Sequence, residues 1–400
     1  MTARTNIAGA SNYVLQEAIS AYSDEAYTNA KKLSGTAIVG DNPLIDTSTE
    51  SFIGQVRWFK PLNPTINVAS ITDATDGTTT SYASDYLTYI KTLRTHGADK
   101  VNMQTVVTQQ DGLAKMGRDF GETRAQDEHN AILSVLKGVA LSEVLYGTSR
   151  AGGAVDGLGG QSFVNDPTSK NFGFYYDAGN TALMLAAGGA SGSNAAITGA
   201  VRAETILQAF GTAFKDYEPD YAYLVISPKT MASFRSANLV DEDRITEGNM
   251  NFNSIFQGKL RLIVTRASAA FSAAELTKIN TGTGVNLAGT DCSFVVLPGA
   301  LAMKELSVPE PTEIYRDARK FKGGGATSVW NRWGYVLAPA GYNWAGNADA
   351  FPSDSNYFDV VEGGTQKVLT TATSTDACKG VWERKAASVL SLGILPIFHG

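Results

Sequence analysis

Glu122, Asp127, Glu128 and His129 crowd into eight residues of the stretch GRDFGETRAQDEHNAILSVLKGV, which runs from residue 117 to 139. Carboxylates beside an imidazole are the donor set of a metal centre or of general acid–base chemistry. Spacing argues against both. Neighbouring residues on a helix point about 100° apart, so Glu128 and His129 do not converge on one ligand. A di-iron Glu-x-x-His pattern needs Glu three positions before His129, and Gln126 stands there. The face of His129 carries Ala125, Gln126, Ile132 and Leu133, so it reads as a solvated or interface histidine. The charges fall into helical pairs instead: Arg118 with Glu122 and Arg124 with Glu128 at i,i+4, and Arg124 with Asp127 at i,i+3. Each such pair contributes a few tenths of a kcal/mol, roughly 0.2–0.5, to an exposed or intersubunit helix face.

Other catalytic patterns fail as well. No P-loop, no HExxH and no GxSxG occurs, since GASGS at 189–193 ends in Ser. Gly157-Leu158-Gly159-Gly160 is a fragment of a dinucleotide loop without a clear strand before it. Only three histidines are present, His96, His129 and His399. Cys292 and Cys378 lack metal spacing and read as two buried thiols in a reducing compartment. No enzyme activity, metal or cofactor is expected.

The composition fits a chain that works by association. Four hundred residues suggest two or three folding units. Charged residues make up 18% and hydrophobic ones 43%, a low charge density suited to a surface covered by neighbours. A net charge of −6 argues against nucleic-acid binding by the chain as a whole, though not against a container for nucleic acid. The start lacks the apolar core of a secretory signal. The least polar run, from Thr181, is broken by Ser, Asn and Gly and does not read as a membrane span. The chain is therefore expected to be made inside the cell.

The elements that position these residues follow a definite order. Residues 1–50 show a weak helical period and then a polar drift, an arm without a core of its own that a neighbour would hold. Residues 51–107 read as a ribbon, strand-like at SFIGQVRWFKPLNPTINVASI and VNMQTVVTQ, with a turn-rich middle and a short helix over DYLTYIKTLRTHG. Such a ribbon is marginal in water alone, so it lies on another subunit or packs on its own domain. A proline-free helix is predicted over about 111–146, surface-lying in its first half and buried in AILSVLKGVALSEVL. Gly-, Ala- and Ser-rich loops with a short strand near FGFYY follow to about residue 199. Then come an amphipathic helix AVRAETILQAFGTAF, strand YAYLVISP, helix KTMASFRSANLV, strand LRLIVT, and DCSFVVLPGALAMKEL as a strand that turns. These make a mixed α/β unit closing near Pro339, with a final strand in KAASVLSLGILPI returning to an earlier sheet.

Arm, ribbon, half-polar spine helix and mixed α/β unit, in that order, resemble a tailed-bacteriophage major capsid protein of the HK97-like fold. The phrases RWFKPLNP, HNAILSVLKGV, FQGKLRLIVTRAS with LPGALAMKEL, and NRWGYVLAPAGYNW carry the likeness, which covers nearly the whole chain in element order. The resemblance implies an α+β fold with an N-terminal arm at 1–50 and an E-loop ribbon at 51–107. A peripheral domain at 108–199 would hold the spine helix, an axial domain would span 200–340, and residues 341–400 would return to the periphery. It further implies pentamers and hexamers in an icosahedral shell around double-stranded DNA held without sequence-specific binding, located in the virion and made in the host cytoplasm. Scaffold, portal and decoration proteins would be its partners. No long scaffolding region precedes the arm, so a separate scaffold protein is expected. No membrane is implied, and no crosslinking lysine is singled out among Lys60, Lys91 and Lys100.

The candidate site is accordingly a set of subunit contacts. Trp58 and Phe59 anchor the ribbon on a neighbour, or they fill their own domain's core. Arg57, Lys60, Arg118, Glu122, Arg124 and Glu128 supply charged contacts between subunits or at the lumen, or they are solvated surface charge. The acidic loop VDEDRITEGNMN from Val240 would lie near the capsomer axis. Two other readings stand beside this one: an encapsulin-type nanocompartment shell holding a cargo enzyme, and a soluble enzyme with a site assembled from distant residues.

Overall fold

The computed structural model describes residues 3–31, 33–41, 45–47, 51–59, 84–101, 112–149, 176–177, 206, 219–241, 245–247, 250–265, 271–279 (without 273 and 276), 291–348, 350–372, 378–384 and 392–399. Two long helices and two principal sheets organise them into a mixed α+β fold.

Helix α1 (Ala3–Ala30) opens the chain and is followed by a short strand, β1 (Val39–Gly40). Strands β2 (Ile53–Phe59) and β3 (Ser84–Val101) come next, then the 38-residue helix α2 (Gly112–Ser149). After β4 (Tyr176–Asp177) the chain forms β5 (Ala222–Ile226), helix α3 (Pro228–Ser236), β6 (Ile245–Glu247), β7 (Met250–Ile255) and β8 (Leu260–Val264). The remainder is strand: β9 (Asp291–Val296), β10 (Leu301–Glu305), β11 (Thr312–Asp317), β12 (Ala326–Pro339), β13 (Tyr342–Trp344), β14 (Val360–Glu362), β15 (Thr365–Lys367), β16 (Cys378–Gly380), β17 (Trp382–Arg384) and β18 (Ile394–His399).

The first sheet runs β1-β10-β12-β3-β2, with β11 also paired to β12. The second runs β4-β18-β9-β5-β8-β7-β6. Its central strands β5 and β9 are almost continuous apolar runs, AYLVI and CSFVV, as strands covered on both faces should be. Ser227 caps α3 by accepting from the Thr230 amide, and Pro228 sits at the first helical position.

The apolar half of α2 is buried on every side: Ile132, Leu136, Val139, Ala140 and Val144 join one core cluster with Leu224, Phe294, Leu395 and Trp382. Gly138 makes the closest approach possible. A Cβ there would strike the Tyr357 carbonyl and lie 2.9 Å from the Trp382 ring. Charges inside this half are matched. Lys137 meets Glu275 at 3.0 Å and lies 4.2 Å from the Phe358 ring centroid, and Arg384 reaches Glu143 at 3.1 Å.

Several expectations are corrected. Residues 3–30 form a helix, and its stretch from Ile19 to Tyr27 is seated on α2 of the same chain, so this part of the arm has a seat on its own subunit. DYLTYIKTLRTHG is strand, not helix: Leu87, Ile90 and Leu93 mimic a helical period. The run is also rich in Thr, Tyr and Ile, and twelve-residue pairing with β12 (Ile90↔Leu337 to Val101↔Ala326) decides the outcome. DCSFVVLPGALAMKEL is not one turning strand. It breaks at Pro298-Gly299, where Gly299 takes φ +72°, and sends β9 into one sheet and β10 into the other. Within VDEDRITEGNMN the segment 245–247 pairs with β7, so it is a hairpin arm and not open loop.

The sheets cross the expected domain limits. Strand β12 of the expected axial unit lies along β3 of the expected ribbon, and β18 pairs antiparallel with β9. Most of VNMQTVVTQ, of the loops after residue 149, of AVRAETILQAFGTAF and the first part of KAASVLSLGILPI lie outside the described residues.

Candidate functional site

The residues singled out in the sequence converge on two places, the seam between α1 and α2 and the base of the β2–β3 ribbon. Small residues make the seam. Gly117, Gly121 and Ala125 recur every four positions on α2, so their side lets another backbone approach closely. At Gly117 an added Cβ would lie 3.0 Å from the Ile19 carbonyl. At Gly121 it would strike the Ser23 carbonyl and lie 2.7 Å from the Tyr27 amide nitrogen. Ile19 is buried there with Phe120 and, from the sheet beneath, Val329. Asn331 of β12 donates to the Ser23 hydroxyl at 3.3 Å, tying α1 to the sheet as well.

One turn further along the seam sits a buried polar knot. The Tyr27 hydroxyl lies 2.8 and 2.7 Å from the two Glu128 carboxylate oxygens and donates to that carboxylate. Arg124 Nε donates to Glu128 at 3.3 Å, its Nη2 reaches Glu305 of β10 at 2.7 Å, and its guanidinium lies 4.0 Å from the Tyr27 ring centroid. Glu128 is 1% exposed. Burial pushes its carboxyl above the ordinary carboxylate range, while the Tyr27 hydrogen bond and the Arg124 charge pull the other way. Burial and the adjacent carboxylate push the Tyr27 phenol well up, so it remains a donor. Asp127 is a second knot. It accepts from Arg94 Nε at 3.3 Å, Trp333 Nε1 at 3.0 Å and the Tyr335 hydroxyl at 3.1 Å, fastening α2 to β3 and β12.

The three expected ion pairs therefore come out differently. Arg124–Glu128 forms within the chain, with the Glu128 carboxylate buried and not solvated. Asp127 turns to Arg94 instead of Arg124. Arg118 and Glu122 are exposed, and Arg118 lies 5.9 Å from the Tyr22 ring centroid. Both line an open cleft of about 610 Å³ beside Glu25, Asn29, Lys31 and Gln126. His129 is 7% exposed, which excludes the solvated reading within the chain itself. His96 meets the Phe120 ring edge-on at 5.3 Å, and His399 stands opposite Asp291 at the end of the β18–β9 pairing. Among the described residues no three His, Cys, Asp or Glu side chains are grouped to hold a metal ion. Nor is any helix among them long and apolar enough to cross a membrane. Cys292 is a free, buried thiol whose pKa burial pushes up.

At the ribbon base, β2 and β3 pair antiparallel from Ile53↔Ile90 to Phe59↔Ser84. Arg57 is exposed and its Nη2 donates to the Ser84 hydroxyl at 3.2 Å. Trp58 and Phe59 stand opposite Asp85 and Ser84 at the open end of the pair, and Lys60 lies outside the described residues. Phe52 and Phe351 form an exposed edge-to-face pair, 4.8 Å between centroids, at the other end. Sequence reasoning missed Tyr27 and Glu305 as structural partners, and it paired Asp127 with Arg124 in place of Arg94, Trp333 and Tyr335. The Gly-x-x-x-Gly-x-x-x-Ala run at 117–125 was the available signal for a closely packed helix.

No protein-family model matches the chain, and no curated protein sequence matches it. Among solved structures the chain is similar to a capsid asymmetric unit of cyanophage Pam1, at 12% identity and TM-score 0.46 over 94% of this chain and 92% of that one. It is also similar to the capsid of Ralstonia phage GP4, at 13% identity and TM-score 0.44 over 79% and 86% of the two chains. The head structure of Helicobacter pylori bacteriophage KHP40 matches at 9% identity and TM-score 0.43, over 93% and 91%. TM-scores below 0.5 at such identities do not by themselves assign a function.

Proposed function

We propose that this chain is a shell-forming protein, the major capsid protein of a tailed phage, whose work is self-association and not catalysis. One observation carries the reading. Strand β3 is clamped to the body along β12 from Ile90 to Val101, while its first part pairs with β2, so that Phe59 and Ser84 stand directly opposite each other. The two residues that flank 60–83 are thus neighbours, and under this reading the segment between them reaches a neighbouring copy. A segment built this way serves contact with something beyond its own core.

The body fits the same role. The 38-residue α2 is gripped by α1 at one end and by the core at the other, giving a stiff rod that transmits load between contacts. Under this reading Trp58, Phe59 and Lys60 meet a neighbouring copy, and Arg57, Arg118 and Glu122 form charged contacts at subunit boundaries. Arg124 and Glu128 act indirectly by holding α1 on the rod. Units at 1–50, 51–107, 108–199, 200–340 and 341–400 would act as arm, ribbon, peripheral, axial and returning segments of closed pentamers and hexamers enclosing double-stranded DNA, with scaffold and portal partners, in a virion assembled in the host.

Removing residues 65–80 tests this directly. The variant should keep the wild-type far-ultraviolet dichroism and melting transition but remain in small species on size-exclusion chromatography. Closed shells formed by the shortened chain would refute the role given to the ribbon.

A further inference from the structure

The tip of the β11–β12 hairpin concentrates positive charge in a chain whose net charge is −6. Arg316, Arg319, Lys320 and Lys322 stand within seven residues, and all four are exposed. Among the described residues none of them enters an ion pair. The one acid in that span, Asp317, accepts from the Arg319 amide at 2.9 Å and so helps shape the turn. Lys100 of β3 stands opposite Thr327, which in turn stands opposite Arg316, so a fifth basic residue occupies the same row of the sheet. Two aromatic side chains flank the charges: Tyr315 is 57% exposed and Phe321 is 60% exposed.

The backbone holds this display in place. Phe321 and Lys322 are consecutive non-glycine residues in the left-handed region, at φ +54° each, followed by Gly323 at +89°. Such residues are disfavoured by roughly 1–2 kcal/mol apiece. The amides of Gly324 and Gly325 close the turn onto the carbonyls of Phe321 and Lys320, both at 3.1 Å. Neither ring is in the core, so burial of these rings does not offset the strain of the turn.

We infer that this tip is a contact for the phosphate backbone of duplex DNA, without sequence preference. Four exposed cations on a fixed turn suit an extended polyanion of regular charge better than an acidic protein surface. Exposed aromatic rings beside the cations supply apolar contact with sugar edges. The overall acidity of the chain then keeps such contact weak and local, as a wall around packaged DNA requires. The inference deepens the shell reading by naming its inner contact. Its test uses the unassembled full chain, so its failure leaves the ribbon deletion and particle mass to judge that reading separately.

The test measures binding of a fluorescent 30-base-pair duplex by full-length protein across about 30–150 mM salt, comparing wild type with R316Q/R319Q/K320Q/K322Q. A control, K229Q/R235Q, removes two exposed charges from α3. Each phosphate contact contributes about 0.9 to the slope of log K against log salt. The quadruple variant should therefore lower that slope by about 3 to 4 and weaken binding at least tenfold at the lowest salt, while the control changes the slope far less. A thermal melt matching wild type shows that the exposed substitutions leave the fold intact, and K320E/K322E provides a second variant expected to lose binding. Equal binding by wild type and the quadruple variant would overturn the inference. So would unchanged DNA binding with loss of self-association, which would make the tip a contact for an acidic surface of another copy.

Discussion

At the scale of residues, the decisive feature is that the carboxylate most suggestive of chemistry is consumed by structure. Glu128 is surrounded by Tyr27, Arg124 and, through Arg124, Glu305, leaving it no approach for a substrate. Tyr27→Phe removes a hydrogen bond to a charged group, so it should destabilise the chain by about 2 kcal/mol in urea unfolding at neutral pH. The pH dependence has a definite sign. Burial holds the folded carboxyl above its ordinary value of 4.5, so the folded state binds the proton more tightly than the unfolded state. That contribution to stability is full below 4.5 and is lost as pH rises through the raised folded value. The stability of wild type relative to Glu128→Gln should fall as pH is raised from 4.5 toward neutrality. A difference independent of pH, or one that grows, would contradict the assignment.

At the scale of elements, Gly121 shows how packing overrides local preference. Alanine there would favour the helix by up to about 1 kcal/mol, yet its methyl group would strike the α1 backbone at Ser23. Gly121→Ala is expected to destabilise the chain by roughly 1–3 kcal/mol and to raise hydrogen exchange over residues 17–30 while leaving the buried half of α2 protected. Unchanged exchange in α1 would show that the seam does not hold it. The same element shows what the sequence could tell. The apolar half of α2 was legible because no polar face interrupts it, and β5 and β8 because short apolar runs are bounded by turns. The β3 strand was not legible, since its Leu and Ile spacing also fits a helix and only the partner strand β12, more than two hundred positions away, decides between them. Nor was the destination of the arm: its helical period is weak, and what seats it is the absence of side chains at Gly117 and Gly121 on another element. The pairing of Arg124 with Glu128 was readable from spacing, whereas its burial depended on Tyr27, about a hundred residues earlier.

At the scale of the whole molecule, the described residues form a body on two principal sheets, with the flanks of segment 60–83, Phe59 and Ser84, paired at one end of β2–β3 and a basic hairpin tip on the same sheet. The described residues offer a well-filled core and an open polar cleft between helices. Their unusual investment is in rigid display of surface segments. Association is the activity proposed for this body, and the size of the assembly is its most direct expression. Light scattering with negative-stain imaging of the purified native particle measures that size. The account predicts closed shells of megadalton mass, and nucleic-acid absorbance inside them distinguishes a genome container from a shell around a cargo enzyme. A species of one to four chains, under conditions where the chain is folded, would contradict it.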